Sequence, residues 1–87
     1  MSNLSFSSIA WEQYLSWQQQ DKKTVKRIHE LLRDIQRNGP ADGIGKPETL
    51  KYRKAWSRWI DHTNLLVYNL DAQGNILIIS CKGHYED

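Results

Sequence analysis

Leu65-Leu66-Val67-Tyr68-Asn69-Leu70, then Asp71-Ala72-Gln73-Gly74-Asn75, then Ile76-Leu77-Ile78-Ile79-Ser80-Cys81 is the stretch whose reading decides the fold. The middle five residues are turn formers, so the flanking runs read as two strands joined by a tight connection. The second run carries no alternation of apolar and polar residues, which is the pattern of an interior strand covered on both faces. Upstream, Trp56 to Ile60 reads as a further strand, joined to Leu65 through Asp61-His62-Thr63-Asn64. Downstream, the apolar run delivers Lys82, Gly83, His84 and Tyr85. An imidazole and a phenol on a rigid strand end are held more closely than on a free loop.

Further upstream the period changes. Leu4 and Phe6 alternate with polar residues and predict a short opening strand. Ser7 or Ser8 then caps a helix running to about Gln20, with Ala10, Trp11, Tyr14, Leu15 and Trp17 as a broad apolar face. Asp21 is the N-cap of a second helix, whose Val25, Ile28, Leu31, Leu32 and Ile35 recur at helical spacing and which ends before Asn38-Gly39-Pro40. Asn38 to Pro47 holds three glycines and both prolines, and reads as a loop with little capacity for regular hydrogen bonding. The predicted fold class is α+β: an N-terminal strand and a two-helix hairpin packed on one face of a mainly antiparallel sheet. Residues 1–87 are expected to form one domain, small enough for partner binding or oligomerisation to add stability. Trp11, Trp17 and Trp56 are expected in the core.

The net charge of +2 implies no particular partner, but its distribution does. Between Lys46 and Arg58 five cations (Lys46, Lys51, Arg53, Lys54, Arg58) face one anion, Glu48, and make a candidate phosphate-binding stripe. A second basic group, Lys22, Lys23, Lys26, Arg27, Arg33 and Arg37, is interrupted by Asp21, Glu30 and Asp34 and reads as a solvated helix face. The single cysteine rules out an internal disulfide framework, and Cys81 reads as a buried small hydrophobe. The N-terminus lacks a charged region followed by an apolar stretch, and no apolar run reaches the length of a membrane span. A cytoplasmic protein without membrane contact is expected. Cys81 and His84 have a metal-like spacing but lack two further ligands near them, so no metal or other cofactor is expected.

A carboxylate, a histidine and a basic aromatic segment together suggest acid-base work on RNA. RNA is cut without metal when its own ribose 2′-hydroxyl attacks the adjacent phosphate. That reaction needs a base for the hydroxyl proton, an acid for the departing 5′ oxygen and cations for the developing charge. Glu48 is the candidate base and His84 the candidate acid. Lys46, Lys51, Arg53, Lys54 and Arg58 are the candidate RNA-binding cations, and Tyr52, Tyr85 or an exposed tryptophan the candidate stacking residues.

The ordered set Tyr14-Leu15-Ser16-Trp17-Gln18, Asp21-Lys22-Lys23, Gly45-Lys46-Pro47-Glu48, Leu50-Lys51, Trp56-Ser57-Arg58, Leu66-Val67-Tyr68 and Lys82-Gly83-His84-Tyr85 resembles the YoeB (Txe) toxins of bacterial toxin-antitoxin pairs. The resemblance implies a RelE-like α+β protein, often dimeric, that enters the A site of the bacterial 70S ribosome and cuts the messenger RNA there. It also implies neutralisation by a YefM-like antitoxin. It puts the general base on Glu48 and the general acid on His84, matches Tyr85 to the tyrosine after that histidine, and matches Lys51 to a basic residue of the site. Two departures stand out. Leu65 occupies the place of the family's arginine before Leu-Val-Tyr, and Trp59 a place that is often basic. Leucine donates no hydrogen bond to a phosphate, so the chain is expected to be an endoribonuclease of reduced activity. The alternative is a catalytically inactive module that binds the antitoxin or the ribosome.

Overall fold

The structure is a computed structural model that describes residues 3–84. Its elements in chain order are β1 (Leu4–Phe6), α1 (Ser8–Gln20), α2 (Lys22–Asn38), β2 (Glu48–Thr49), β3 (Trp56–Trp59), β4 (Leu65–Leu70) and β5 (Ile76–Ser80). The five strands form one sheet in the order β1-β5-β4-β3-β2, with β1 parallel to β5 and the other pairs antiparallel. The expected α+β class and its mainly antiparallel sheet are therefore observed. Among the described residues no helix is long and apolar enough to cross a membrane.

Both helices start where side-chain chemistry tells them to. Ser7 Oγ accepts the Ala10 N–H at 3.0 Å and donates to the Ile79 carbonyl at 2.7 Å, which caps α1 and ties its start to β5. Asp21 closes one helix and opens the next. Its N–H donates to the Trp17 carbonyl at 2.8 Å, and its carboxylate accepts from the Lys23 N–H and the Thr24 hydroxyl at 3.0 and 2.9 Å. α2 buries Ile28, Leu31, Leu32 and Ile35, which pack with Ala10 and Trp17 of α1 and with Leu66, Tyr68, Ile76 and Ile78 of the sheet.

Four expectations are corrected. Trp11 is 47% exposed, because α1 turns Ala10 and Trp17 to the core and leaves Trp11 stacked outside on Tyr14 and edge-on to Phe6. Glu48 lies on a two-residue edge strand rather than on a loop, paired opposite Ser57. The interior strand β5 is not covered throughout: Leu77 is 39% exposed on the face away from the helices.

The largest correction concerns Arg58. Its side chain is fully buried, so it is unavailable to RNA. It lies on the core side of β3, paired opposite Leu66, and its Nε donates to the Tyr68 hydroxyl at 2.9 Å. Nη1 reaches the Asp34 carboxylate at 2.5 Å and the Ile44 carbonyl at 3.0 Å; Nη2 reaches the Gly39 and Asp42 carbonyls at 2.9 and 2.7 Å. The Tyr68 hydroxyl in turn donates to the Pro40 carbonyl at 2.8 Å. One guanidinium and one phenol thus satisfy the carbonyls of a loop that has no ladder of its own. The loop lies close enough that a Cβ on Gly43 would fall 1.7 Å from Asp34 Oδ2.

The hydrogen bond from Arg58 is the main influence holding the Asp34 carboxyl below its ordinary value of 3.8. A depressed folded-state pKa contributes stability that is complete above the unfolded value and is lost as pH falls through the folded one. The urea midpoint is therefore expected to fall as pH drops below about 4. Asp34→Asn should begin from a lower midpoint and decline less over that window. An identical acid decline in both proteins would refute this role for the pair.

Candidate functional site

Residues two apart on a strand share a face, as do residues directly opposite in an antiparallel ladder. Thr49, Trp56, Tyr68 and Ile78 are partners in succession across the sheet and lie on the helix-bearing side. Glu48 pairs with Ser57, Ser57 with Val67, and Trp59 with Leu65, so these five point to the helix-free side. The candidate base therefore stands exposed on the helix-free face, at the edge strand, next to the buried Ser57.

His84 reaches the same face through a chain of pins. The Cys81 N–H donates to Gln13 Oε1 at 2.6 Å and the Trp17 indole N–H donates to the Cys81 carbonyl at 2.8 Å, which clamps the end of β5 against α1. Two residues on, the Gly83 N–H donates to Asn64 Oδ1 at 2.7 Å and the Leu65 N–H donates to the Gly83 carbonyl at 3.0 Å. Asn64 is itself held by the Asp61 carboxylate, which takes its N–H at 2.8 Å and its amide at 3.0 Å. Hydrogen bonds from Thr63 and Asn64 outweigh desolvation and bring the Asp61 carboxyl down to about 2. A register shift in the β4–β5 pairing between Val67 and Tyr68 further turns the strand end. The exposed His84 ring then meets Trp59 in a T-shaped contact, with centroids 5.6 Å apart.

Lys46 joins this group from the loop before β2. Its φ of 53° is a left-handed conformation that few residues with a side chain adopt. The residue before it is closely held: the Trp59 backbone N–H donates to the Gly45 carbonyl at 2.7 Å, and a Cβ at Gly45 would sit 2.9 Å from Leu31 Cδ2. Beside Lys46 and Trp59 lies a shallow cavity of about 450 Å³ lined by Gly45, Lys46, Trp59, Asp61 and His62. Lys51, Arg53 and Lys54 are exposed in the connection between β2 and β3, with Lys51 Nζ 5.2 Å from the Tyr52 ring centroid. Glu48, Trp59, Leu65 and the His84 ring thus lie on the helix-free side, Lys46 lines the cavity beside Trp59, and Arg58 is turned to the core. Tyr85 lies outside the described residues.

Cys81 is buried, and burial pushes its thiol up to about 11, so it serves packing and not nucleophilic chemistry. Gln13 and Asn64 hold the backbone at Cys81 and Gly83, which leads into His84, and Asp61 holds Asn64. No sequence signal marks them, because each is an ordinary polar residue whose partner is remote or a turn neighbour.

The family model of the YoeB-like toxins of bacterial type II toxin-antitoxin systems matches residues 6–85. The chain belongs to this family. The Toxin YoeB of Synechocystis sp. is 47% identical over 85 residues, covering 95% of this chain and 96% of its own. Among solved structures, the YoeB dimer from Staphylococcus aureus superposes with a TM-score of 0.91 at 50% identity, covering 97% of this chain and 98% of that one. YoeB in the YoeB-YefM complex from the same organism gives 0.89 at 49%, with 98% and 99% covered. The chain is thus similar along nearly its whole length to YoeB toxins.

Proposed function

We propose that this YoeB-like toxin is a ribosome-dependent endoribonuclease that cuts messenger RNA in the A site, attenuated by Leu65. What supports the reading is that exposed Glu48 on β2 and exposed His84, in contact with Trp59 of the neighbouring β3, lie on the helix-free side, with Lys46, Lys51, Arg53 and Lys54 exposed in the segments flanking β2. In the reaction, the Glu48 carboxylate takes the 2′-hydroxyl proton and the 2′ oxygen attacks the adjacent phosphorus. The P–O5′ bond breaks and the 5′ oxygen leaves with a proton from the His84 imidazolium, giving a 2′,3′-cyclic phosphate. Cations near the phosphate offset the charge that builds on its free oxygens. Tyr85, next to His84, is assigned to the same site by the resemblance.

A YefM-like antitoxin is the proposed neutralising partner, on the strength of the Staphylococcus aureus YoeB-YefM complexes, and the dimer of that YoeB supports self-association here. The cytoplasm is the proposed compartment, since messenger RNA on the 70S ribosome is the proposed substrate. Leu65 favours a second reading, a binding module that occupies the ribosome or the antitoxin without cutting.

Primer extension on messenger RNA in a reconstituted translating ribosome tests the proposal. This chain is expected to give a faint cut in the A-site codon that needs the ribosome and is absent with Glu48→Gln. A cut in free RNA of equal strength, or one that survives Glu48→Gln, would remove the assignment.

A further inference from the structure

Building on the RNA-cleavage reading, we propose that the cavity beside Trp59 is a nucleobase seat, in which one unpaired base of the RNA stacks on the Trp59 indole while Lys46 holds that nucleotide's phosphate. Three features of the molecule lead to this ligand. The cavity, about 450 Å³, falls within the ~300–1,000 Å³ range of small-ligand pockets. Its aromatic wall is half-buried and stands on a held main chain: the Trp59 backbone N–H is bonded to the Gly45 carbonyl, the Trp59 carbonyl accepts from Arg27 Nη2 at 3.4 Å, and Leu65 pairs opposite it. These bonds fix the main chain that carries the indole, and the ring itself packs edge-on against His84, which lowers the ordering cost when a base arrives.

The charge around the cavity also selects. Asp61 lines it, but its oxygens are occupied by the backbone and side chains of Thr63 and Asn64. Lys46, in its left-handed conformation, supplies the cation at the rim, and His62 supplies a further ring. An aromatic floor with a cation at its edge is the pairing that single-stranded nucleic acid uses, because every base has a π-face and every nucleotide a phosphate. The contact between Trp59 and His84 places the seated base next to the proposed acid. Trp59 is thereby a substrate-positioning residue.

The test is binding, separate from cleavage. A 2′-O-methyl RNA trimer, which lacks the attacking hydroxyl, is titrated into the isotope-labelled full chain while the Trp59 indole N–H is followed by NMR. The same trimer with abasic sugars is the control. The Trp59 resonance is expected to shift with the trimer and to stay in place with the abasic form. Trp59→Ala should weaken trimer binding by roughly 5- to 150-fold, the range for loss of one stacked base. Trp59→Phe, which keeps a packed ring, should retain most of it and guards against a folding defect in the alanine protein. Trp59→Arg should lose the preference for the trimer over its abasic form while steepening the salt dependence. Equal affinity for both trimers in the parent chain would show an anion site only and overturn the seat, as would an unmoved Trp59 resonance. Because no bond is cut, this result is independent of whether Glu48 and His84 catalyse.

Discussion

Leu65→Arg is expected to raise ribosome-dependent cleavage by about a hundred- to thousandfold. Position 65 pairs opposite Trp59 on the helix-free face, and its N–H donates to the carbonyl of Gly83, the residue before His84. A side chain there is next to the proposed acid and on the same face as Glu48. Leucine brings no donor to that point, whereas a guanidinium offers five in a planar fork suited to phosphate oxygens. Rates from primer extension with limiting toxin provide the comparison. In the Leu65→Arg background, Glu48→Ala and His84→Ala should each lower the rate by about 10²- to 10⁴-fold. Their double variant should fall little further, because the two act in one transition state. No gain on introducing the arginine would leave the non-catalytic binding module as the better account of this chain.

The second large effect concerns stability. Arg58→Ala is expected to destabilise the fold by about 3–5 kcal/mol, the usual penalty for removing one partner of a buried ion pair. Four carbonyl and hydroxyl groups lose their donor at the same time, among them those of Gly39, Asp42 and Ile44. Against a total of roughly 5–15 kcal/mol for a small domain, this is a large fraction. In thermal unfolding a domain of this size moves by about 4–8 °C per kcal/mol. Arg58→Lys should recover only part of the loss, since an ammonium on a flexible stem cannot span Tyr68, Asp34 and three loop carbonyls at once. Chemical denaturation of both variants gives the comparison. Parent-like midpoints for Arg58→Ala would mean that the loop from Gly39 to Lys46 holds its shape without the guanidinium.

Arg58 also illustrates the limit of reading charge along a chain. It sits among Lys51, Arg53 and Lys54, and by composition it belongs to the same basic stripe. In the fold it is the one cation of that stripe with no exposed surface, because β3 turns it to the core opposite Leu66. Trp11 shows the converse: an aromatic expected in the core is nearly half exposed, because the narrow face of α1 that meets the sheet is filled by Ala10, Gln13 and Trp17. The strand at Glu48 was illegible because two residues carry no period; only pairing with Trp56 and Ser57 makes them a strand.

Local chemistry determined much by itself. The caps at Ser7 and Asp21, the apolar period of α2, the turn at Asp71–Asn75 and the strands on either side of it each depend on neighbours within a few residues, so their causes are written consecutively in the chain. The candidacy of Glu48 and His84 was also legible, as two acid-base groups on punctuated segments. What only the tertiary structure decided is which groups meet. The register of β2 on β3 puts Glu48 on the helix-free face. Gln13, Trp17 and Asn64, up to 68 residues away from the bonds they hold, aim His84 at Trp59. Such placements depend on hydrogen bonds that close only once remote strands and helices are packed, and no periodicity along the chain encodes them.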